Sequence, residues 1–476
     1  MEQWYNISNT YVRKVITMKL NYKRTLLVGF AFFLICTFWQ AYDTVIPKIL
    51  TDKFGMSQSL SGAVMALDNV LAVVLLPIFG AVSDKHSSKL GRRTPFILIG
   101  TILASIAFVG LSFIDNLQRL AIEKGVAEIG LESTEERLAF AWTKTCENPV
   151  ILIFFMIMLL IVLVSMAIFR SPAVALMPDV TPKPLRSKGN AVINLMGAVG
   201  GILVLVLGIL FGTGKVENTL MSYTVFFVVI AAVMLVSILI FMMTVKEKTW
   251  ASEADEINAT LDGEPAAAEN VSSRSLTKGE LKSLLFILAS VVLWYMGYNA
   301  VSSKYSVYAG EVLGLDYNLT LIVAQAAAII SYIPVGIISS KIGRKKTILA
   351  GVAMLGIAFG FAYFMGEGSN IWVMNTLFAL AGIGWATINV NSYPMVVELA
   401  SSSDTGKYTG YYYTASMAAQ TVTPILSGVF LDINMKTLFP YATLFVALAF
   451  VTMLMVRHGD VKPTAKKCLL EHMDVD

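Results

Sequence analysis

Three charged residues interrupt stretches of sequence that are otherwise apolar. Asp43 stands in FWQAYDTVIPKIL, Asp68 in ALDNVLAVVLLP and Arg170 in IVLVSMAIFR. Charge in such surroundings is costly unless something pairs with it or visits it, so these three are the first candidates for chemistry. A carboxylate removed from water favours its protonated form, and a nearby guanidinium opposes that preference. An acid whose pairing with arginine changes can therefore load and release a proton. Asp43 is the leading proton-coupling residue and Asp68 the second, with Arg170 as counter-ion or as anchor for an anionic solute. Trp39, Gln40 and Asp43 share one helical face by their spacing, and Asn69 directly follows Asp68. At 1.5 Å per residue, Asp43 and Arg170 differ by about 10 Å in depth along their helices.

A second set is neutral. Tyr295, Tyr298, Asn299 and Ser302 follow a helical face, as do Trp385, Asn389 and Ser392, with Asn391 and Tyr393 beside them. Asn190 and Asn194 are one turn apart, Tyr413, Ser416 and Gln420 are similarly spaced, and Ser331 and Tyr332 add polarity to another run. Hydroxyl-rich solutes need amide and hydroxyl partners, and the weakly apolar face of a sugar packs on an aromatic ring. Hydrogen bonds between helices compete for the same side chains.

Other chemistries find no support. Cys36, Cys146 and Cys468 have no ligand spacing, and His86, His458 and His472 fall outside the apolar runs, so neither a metal site nor a histidine relay is expected. No nucleophile sits beside a base and no phosphate-binding loop is present. An enzyme, a resident cofactor and a nucleic-acid partner are therefore not expected.

The elements that position these residues follow from composition. Of 476 residues 56% are hydrophobic and 14% charged, with a mean hydropathy of +0.70. Apolar blocks long enough to cross a bilayer recur along the chain. They predict twelve transmembrane helices, near 25–49, 59–82, 94–114, 149–177, 190–212, 221–245, 283–308, 318–340, 347–365, 371–397, 408–431 and 437–456. With the N-terminus inside, 26 Lys and Arg fall on the cytoplasmic side and 9 on the other, which predicts cytoplasmic termini in a multi-pass cell-membrane protein. The expected organisation is a cytoplasmic segment 1–24, a six-helix bundle 25–245, a linker 246–282, a second six-helix bundle 283–457 and a tail 458–476. The linker is polar with a short helix at its end. The connection 115–148 carries one or two short surface helices.

The halves echo each other. GAVSDKHSSKLGRRTPF follows the second span and GIISSKIGRKKTIL the eighth; PAVALMPDVTPKPLRSKGN follows the fourth and PMVVELASSSDTGKYTG the tenth. Such duplication is the plan of secondary carriers, with a substrate site near mid-membrane. The acids and bases in these connections are read as conformational latches: Asp84 with Arg92 and Arg93, Asp179 with Arg186, Glu398 with Lys407, and Arg344 in the second copy. In the second copy Ser340 replaces Asp84, which puts the same acid–base form in doubt there.

At Gly80, Asp84, Gly91, Arg92 and Arg93 the chain resembles the major facilitator superfamily, which implies an all-α membrane fold of two six-helix bundles. SDKHSSKLGRRTPFILIG and RSPAVALMPDV resemble the plant sucrose–proton symporters and their relatives and, more weakly, the glycoside–pentoside–hexuronide cation symporters. The YDT run at Asp43 resembles the first span of hexose–proton symporters, which implies a role for that acid in coupling. The sucrose symporters carry an acid where this chain has Leu163, and the paired acids of sodium-coupled melibiose-type carriers are missing before Pro77. The combined expectation is proton-coupled symport of an oligosaccharide or glycoside by a functional monomer, driven by a proton gradient. The alternatives are a passive sugar facilitator, a carrier of another solute such as an organic anion, and a non-transporting receptor.

Overall fold

A computed structural model describes residues 20–129, 133–182, 185–262, 277–397, 399 and 405–458. Every regular element among them is helical. In chain order these are α1 Tyr22–Lys48, α2 Gln58–Met65, α3 Leu67–Lys85, α4 Thr94–Ile129, α5 Thr134–Glu147, α6 Pro149–Asp179, α7 Arg186–Phe211, α8 Thr224–Thr244, α9 Glu247–Asp262, α10 Lys278–Tyr308, α11 Tyr317–Ile342, α12 Arg344–Ala362, α13 Ile371–Val397, α14 Thr405–Ile433 and α15 Leu438–Leu454. α1 and α10 each continue into a wider π-helical turn, Ile49–Lys53 and Ala309–Leu313.

Ten helices among the described residues are long and apolar enough to cross a membrane. α11 and α14 stand where the other two spans are expected. α11 is apolar over Tyr317–Tyr332, and α14 carries Thr, Tyr, Ser and Gln along much of its length.

The helices form two compact units. One takes the described residues of Met1–Met56 and Leu67–Glu269, the other those of Ser57–Ala66 and Asn270–Asp476. The predicted boundary between halves is thus crossed once by a short insertion: α2 belongs to the second unit and α3 to the first, with a break at Ala66.

In the first unit α1 packs along α7. A Cβ at Gly200 would come within 2.6 Å of the Phe33 carbonyl, and one at Gly197 within 2.8 Å of Cys36 Sγ. The small residues of GAVGG therefore allow backbone contact, and Cys36 packs as a small side chain. In the second unit Gly382 plays this part between α13 and α11, where a Cβ would meet the Ala324 carbonyl at 2.1 Å. The echoed loops share a device as well. Gly91 and Gly343 hold positive φ, +118° and +93°, a backbone state that glycine adopts without a Cβ clash.

The two long connections differ from expectation in detail. α4 runs without a break past the expected span end to Ile129, followed by one separate helix, α5, capped by Ser133. Beneath it Lys53 and Asp115 form a wholly buried ion pair at 2.6 Å. Gln118 joins the Lys53 carbonyl to Thr145 of α5. In the linker the separate helix, α9, stands at the beginning, while the end of the linker opens α10 through a capping box between Thr277 and Glu280. Tertiary partners explain α9. Trp250, Ala254 and Asn258 are buried, Arg24 lies 5.2 Å over the Trp250 ring, and Arg24 pairs with Glu253.

Candidate functional site

The first unit carries the charged set. α1 presents Trp39, Gln40 and Asp43 on one face, the first turn of α3 supplies Asp68 and Asn69, and α6 supplies Arg170. Asp43 is exposed in the C-terminal part of an apolar helix, and Asp68, Asn69, Arg170, Trp39 and Gln40 are half-buried. The Arg170 guanidinium sits 5.2 Å over the Trp39 ring, a cation–π contact one turn from Asp43. Phe38 and Tyr42 pack edge-on against Trp39, at 5.3 Å each, and hold the indole in place. Its Nε1 has no hydrogen-bond partner among the described residues.

Asp43, Asp68 and Arg170 lie near enough to act on one another through space, yet among the described residues none is closed into a salt bridge. Asp68 accepts a hydrogen bond from the Asn69 amide at 2.8 Å. The arginine rests on the indole, not on the acid.

The second unit carries an aromatic and amide set. The rings of Tyr298 and Trp385 stack in parallel, 3.7 Å apart with 1° between planes, and Tyr295 meets Trp385 edge-on at 5.1 Å. Tyr332 lies close enough to act on the Tyr298 hydroxyl. Asn299, one residue beyond Tyr298, has an Nδ2 without a hydrogen-bond partner among the described residues, and Ser302, a turn further, is exposed. α10 and α13 therefore meet across a flat aromatic slab with amide groups beside it; Asn389, half-buried, follows Trp385 by one turn.

Other expected contacts are engaged with the protein's own groups. Asn391 and Ser392 are fully buried: Asn391 donates to the Thr387 carbonyl at 2.9 Å, and Ser392 bonds Tyr412 at 2.9 Å. Ser331 donates to Ala327 O at 2.6 Å, Gln420 to Ser416 O at 3.3 Å and Asn194 to Asn190 O at 2.8 Å. Asn190 and Asn194 are exposed on α7. Of the three adjacent tyrosines Tyr412 is buried while Tyr411 and Tyr413 are exposed, the division a helix imposes on neighbours.

The latch residues of the first unit converge on one network, with one change of partner. Asp179 pairs with Arg92 and Arg93, each at 2.8 Å, rather than with Arg186. Arg93 also pairs with Asp84 and bonds Ser83. Arg186 instead donates to the Pro178 carbonyl at 2.8 Å and the Thr181 carbonyl at 3.3 Å, so it closes the C-terminal end of α6. In the second unit Arg344 donates to Pro394 O at 3.3 Å. Glu398 and the side chain of Lys407 lie outside the described residues.

Two contributors escape sequence reading. Glu247, 2% exposed, accepts from the backbone amides of Arg92, Arg93 and Thr94 at 2.7–2.8 Å and from the Thr94 hydroxyl at 2.7 Å. A Cβ at Gly91 would strike its carboxylate at 2.3 Å. This acid, 153 residues away in the chain, thus caps α4. Lys304 is the other: it lies within α10 at 1% exposure. Its position inside the run 283–308 was the available signal.

A family model described as MFS/sugar transport protein matches residues 27–434. Over 446 residues the chain is 25% identical to an uncharacterized MFS-type transporter of Methanocaldococcus jannaschii, a match covering 91% of this chain and 95% of that protein. A shorter match, 32% identical over 157 residues, is to a sucrose transport protein of Arabidopsis thaliana and covers 33% of this chain and 24% of the relative. Among solved structures the xylose transporter XylE from E. coli aligns with a TM-score of 0.62 at 14% identity, over 92% of this chain and 97% of that one. The nucleoside transporter NupG aligns with a TM-score of 0.60 at 15% identity, over 91% and 100%. At these identities the structural likeness shows a common fold.

Proposed function

This chain belongs to the MFS/sugar transport protein family, and from that premise we propose that it is a proton-coupled symporter of a sugar, an oligosaccharide or glycoside, working by alternating access. That it is a membrane-embedded secondary transporter of small solutes, and not an enzyme, follows from the family; coupling, substrate and mechanism are the proposal. The observation that carries it is Asp43, an unpaired carboxylate on an apolar helix one turn from an indole that holds Arg170. Ionised, it draws the guanidinium from the ring; protonated, it releases it. Such an alternation links proton loading to the position of Trp39, Gln40 and any solute they touch. Asp68 is the second acid in the same field.

The neutral slab of Tyr298, Tyr295 and Trp385 with Asn299, Ser302 and Asn389 supports a sugar as the solute. A flat apolar surface beside amides and hydroxyls matches a pyranose, which has one weakly apolar face and a rim of hydroxyls. The sucrose transport protein among the relatives supports the same class. The proposed topology is twelve spans, α11 and α14 among them, with both termini cytoplasmic in a plasma or inner membrane and a monomer as the working unit. Asp84, Arg92, Arg93 and Asp179 act in this reading as the cytoplasmic latch.

The test is reconstitution. Counterflow and gradient-driven uptake are compared over a panel of mono- and oligosaccharides at several pH values. Uphill accumulation of one sugar that follows an imposed proton gradient is expected. Counterflow without accumulation would make the protein a passive facilitator, and solute binding without flux a receptor.

A further inference from the structure

The second unit contains a charged device that the proposed transport chemistry does not use. α2 packs on α14 with little between the backbones: a Cβ at Gly62 would meet the Pro424 carbonyl at 1.9 Å, and one at Gly428 the Gln58 carbonyl at 2.4 Å. Ser57 caps α2 through the Leu60 amide at 3.2 Å. The carboxylate of Asp432, on α14, accepts the Gln58 amide and, at 3.0 Å, the Ser59 amide. From α10, the ammonium of Lys304 donates to the Gln58 carbonyl at 2.7 Å and reaches the Gln58 side-chain oxygen at 3.4 Å. The main chain of one residue, Gln58, is thus held between a cation and an anion.

An acid alone would explain a capped helix, and a hydroxyl or amide would serve the Gln58 carbonyl. A buried ammonium is a costly choice for that task, because departure of α2 would leave it without an acceptor. The cost disappears if the anion opposite takes over. We propose that Lys304 and Asp432 form a charge-exchange clasp: with α2 seated, both are engaged by the main chain of Gln58, and when α2 lifts off α10 and α14 they close on each other as a salt bridge. Both arrangements then leave both charges paired, which is the property a two-state element requires. Ala66, a turn residue between α2 and α3, is where the chain leaves the second unit. The reason for such a movement rests on the alternating-access reading, but the clasp itself is measurable without any solute.

The first test uses the native chain in proteoliposomes with a membrane-permeant carbodiimide, which joins a contacting amine and carboxylate as an amide, read by peptide mass spectrometry. A Lys304–Asp432 link is expected beside the control link of the exposed Lys144–Glu147 pair, 2.7 Å apart. The control link alone overturns the proposal. The second test places Ser61→Cys, at a fully buried position on α2, in a chain with Cys36, Cys146 and Cys468 replaced by alanine, and follows maleimide labelling. Either Lys304→Gln or Asp432→Asn should slow labelling about tenfold, because the lifted state keeps an unpaired charge. Both together should return it to within about twofold of the parent. Single variants that speed labelling, or effects that multiply in the double variant, describe an ordinary clasp and overturn the exchange. Labelling with the expected pattern in a protein that carries no solute would retain the clasp and remove the carrier reading.

Discussion

The two units hold charge in opposite ways. In the first, Asp43, Asp68 and Arg170 stand near one another with no salt bridge among the described residues, and the arginine rests on an indole. In the second, the candidate site is an uncharged slab of Tyr295, Tyr298 and Trp385 with amides beside it, and the buried cation Lys304 is engaged by backbone. Unpaired charge is expensive in a membrane helix and persists where it has work to do, whereas neutral aromatic and amide groups are cheap to keep. Under the proposed function the comparison becomes a division of labour: energy coupling in the first unit, solute recognition in the second.

Asp43→Asn should break that division most sharply. Uphill accumulation should fall by about a hundredfold, a loss of about 2.7 kcal/mol of coupling, while counterflow stays close to the parent rate in reconstituted vesicles. Equal loss of both activities would make Asp43 part of solute binding and blur the two units. Trp385→Ala should act in the complementary way and raise the apparent KM about tenfold, since it removes the ring on which Tyr298 stacks. The pH dependence of uptake should be unaltered by that change, and a shifted pH profile would argue against the separation.

Glu247→Ala leaves three backbone amides of the α4 start without their acceptor and is expected to cost about 2–3 kcal/mol, seen as a lowered thermal transition in detergent. Asp179→Asn should favour the inward-open state more than Asp84→Asn does, as read by cysteine accessibility. Asp179 engages both arginines and is 15% exposed, whereas Asp84 is 59% exposed and its pair is screened by solvent. The smallest effect is expected within the second unit itself. Asn391→Ala should change KM less than about twofold, because its amide bonds the Thr387 carbonyl inside the bundle, and Asn299→Ala should change it more. The reverse order would move the recognition surface to the buried side of α13.

Much of this was legible in the sequence. Ten of the expected spans follow from apolar length, and the Asp43 and Tyr298 faces from helical spacing, both local or periodic properties. Lys304 was missed because a single lysine near a predicted span end looks like a loop residue, and π-helical continuation to Leu313 carries the helix further than hydropathy suggests. Asn391 and Ser392 looked like cavity residues because polarity tells only that a partner is needed, not whether that partner is solute or protein.

Sequence alone determined that this chain is helical and membrane-embedded, because hydrocarbon thickness and backbone hydrogen bonding restrict long apolar runs to one structure. Tertiary structure decided which charges meet. Asp179 turned to Arg92 and Arg93 rather than Arg186, Glu247 reached the start of α4, and Lys304 and Asp432 came to bracket Gln58. Pairing between distant residues depends on how helices pack, and helical periodicity carries no record of which face meets which neighbour.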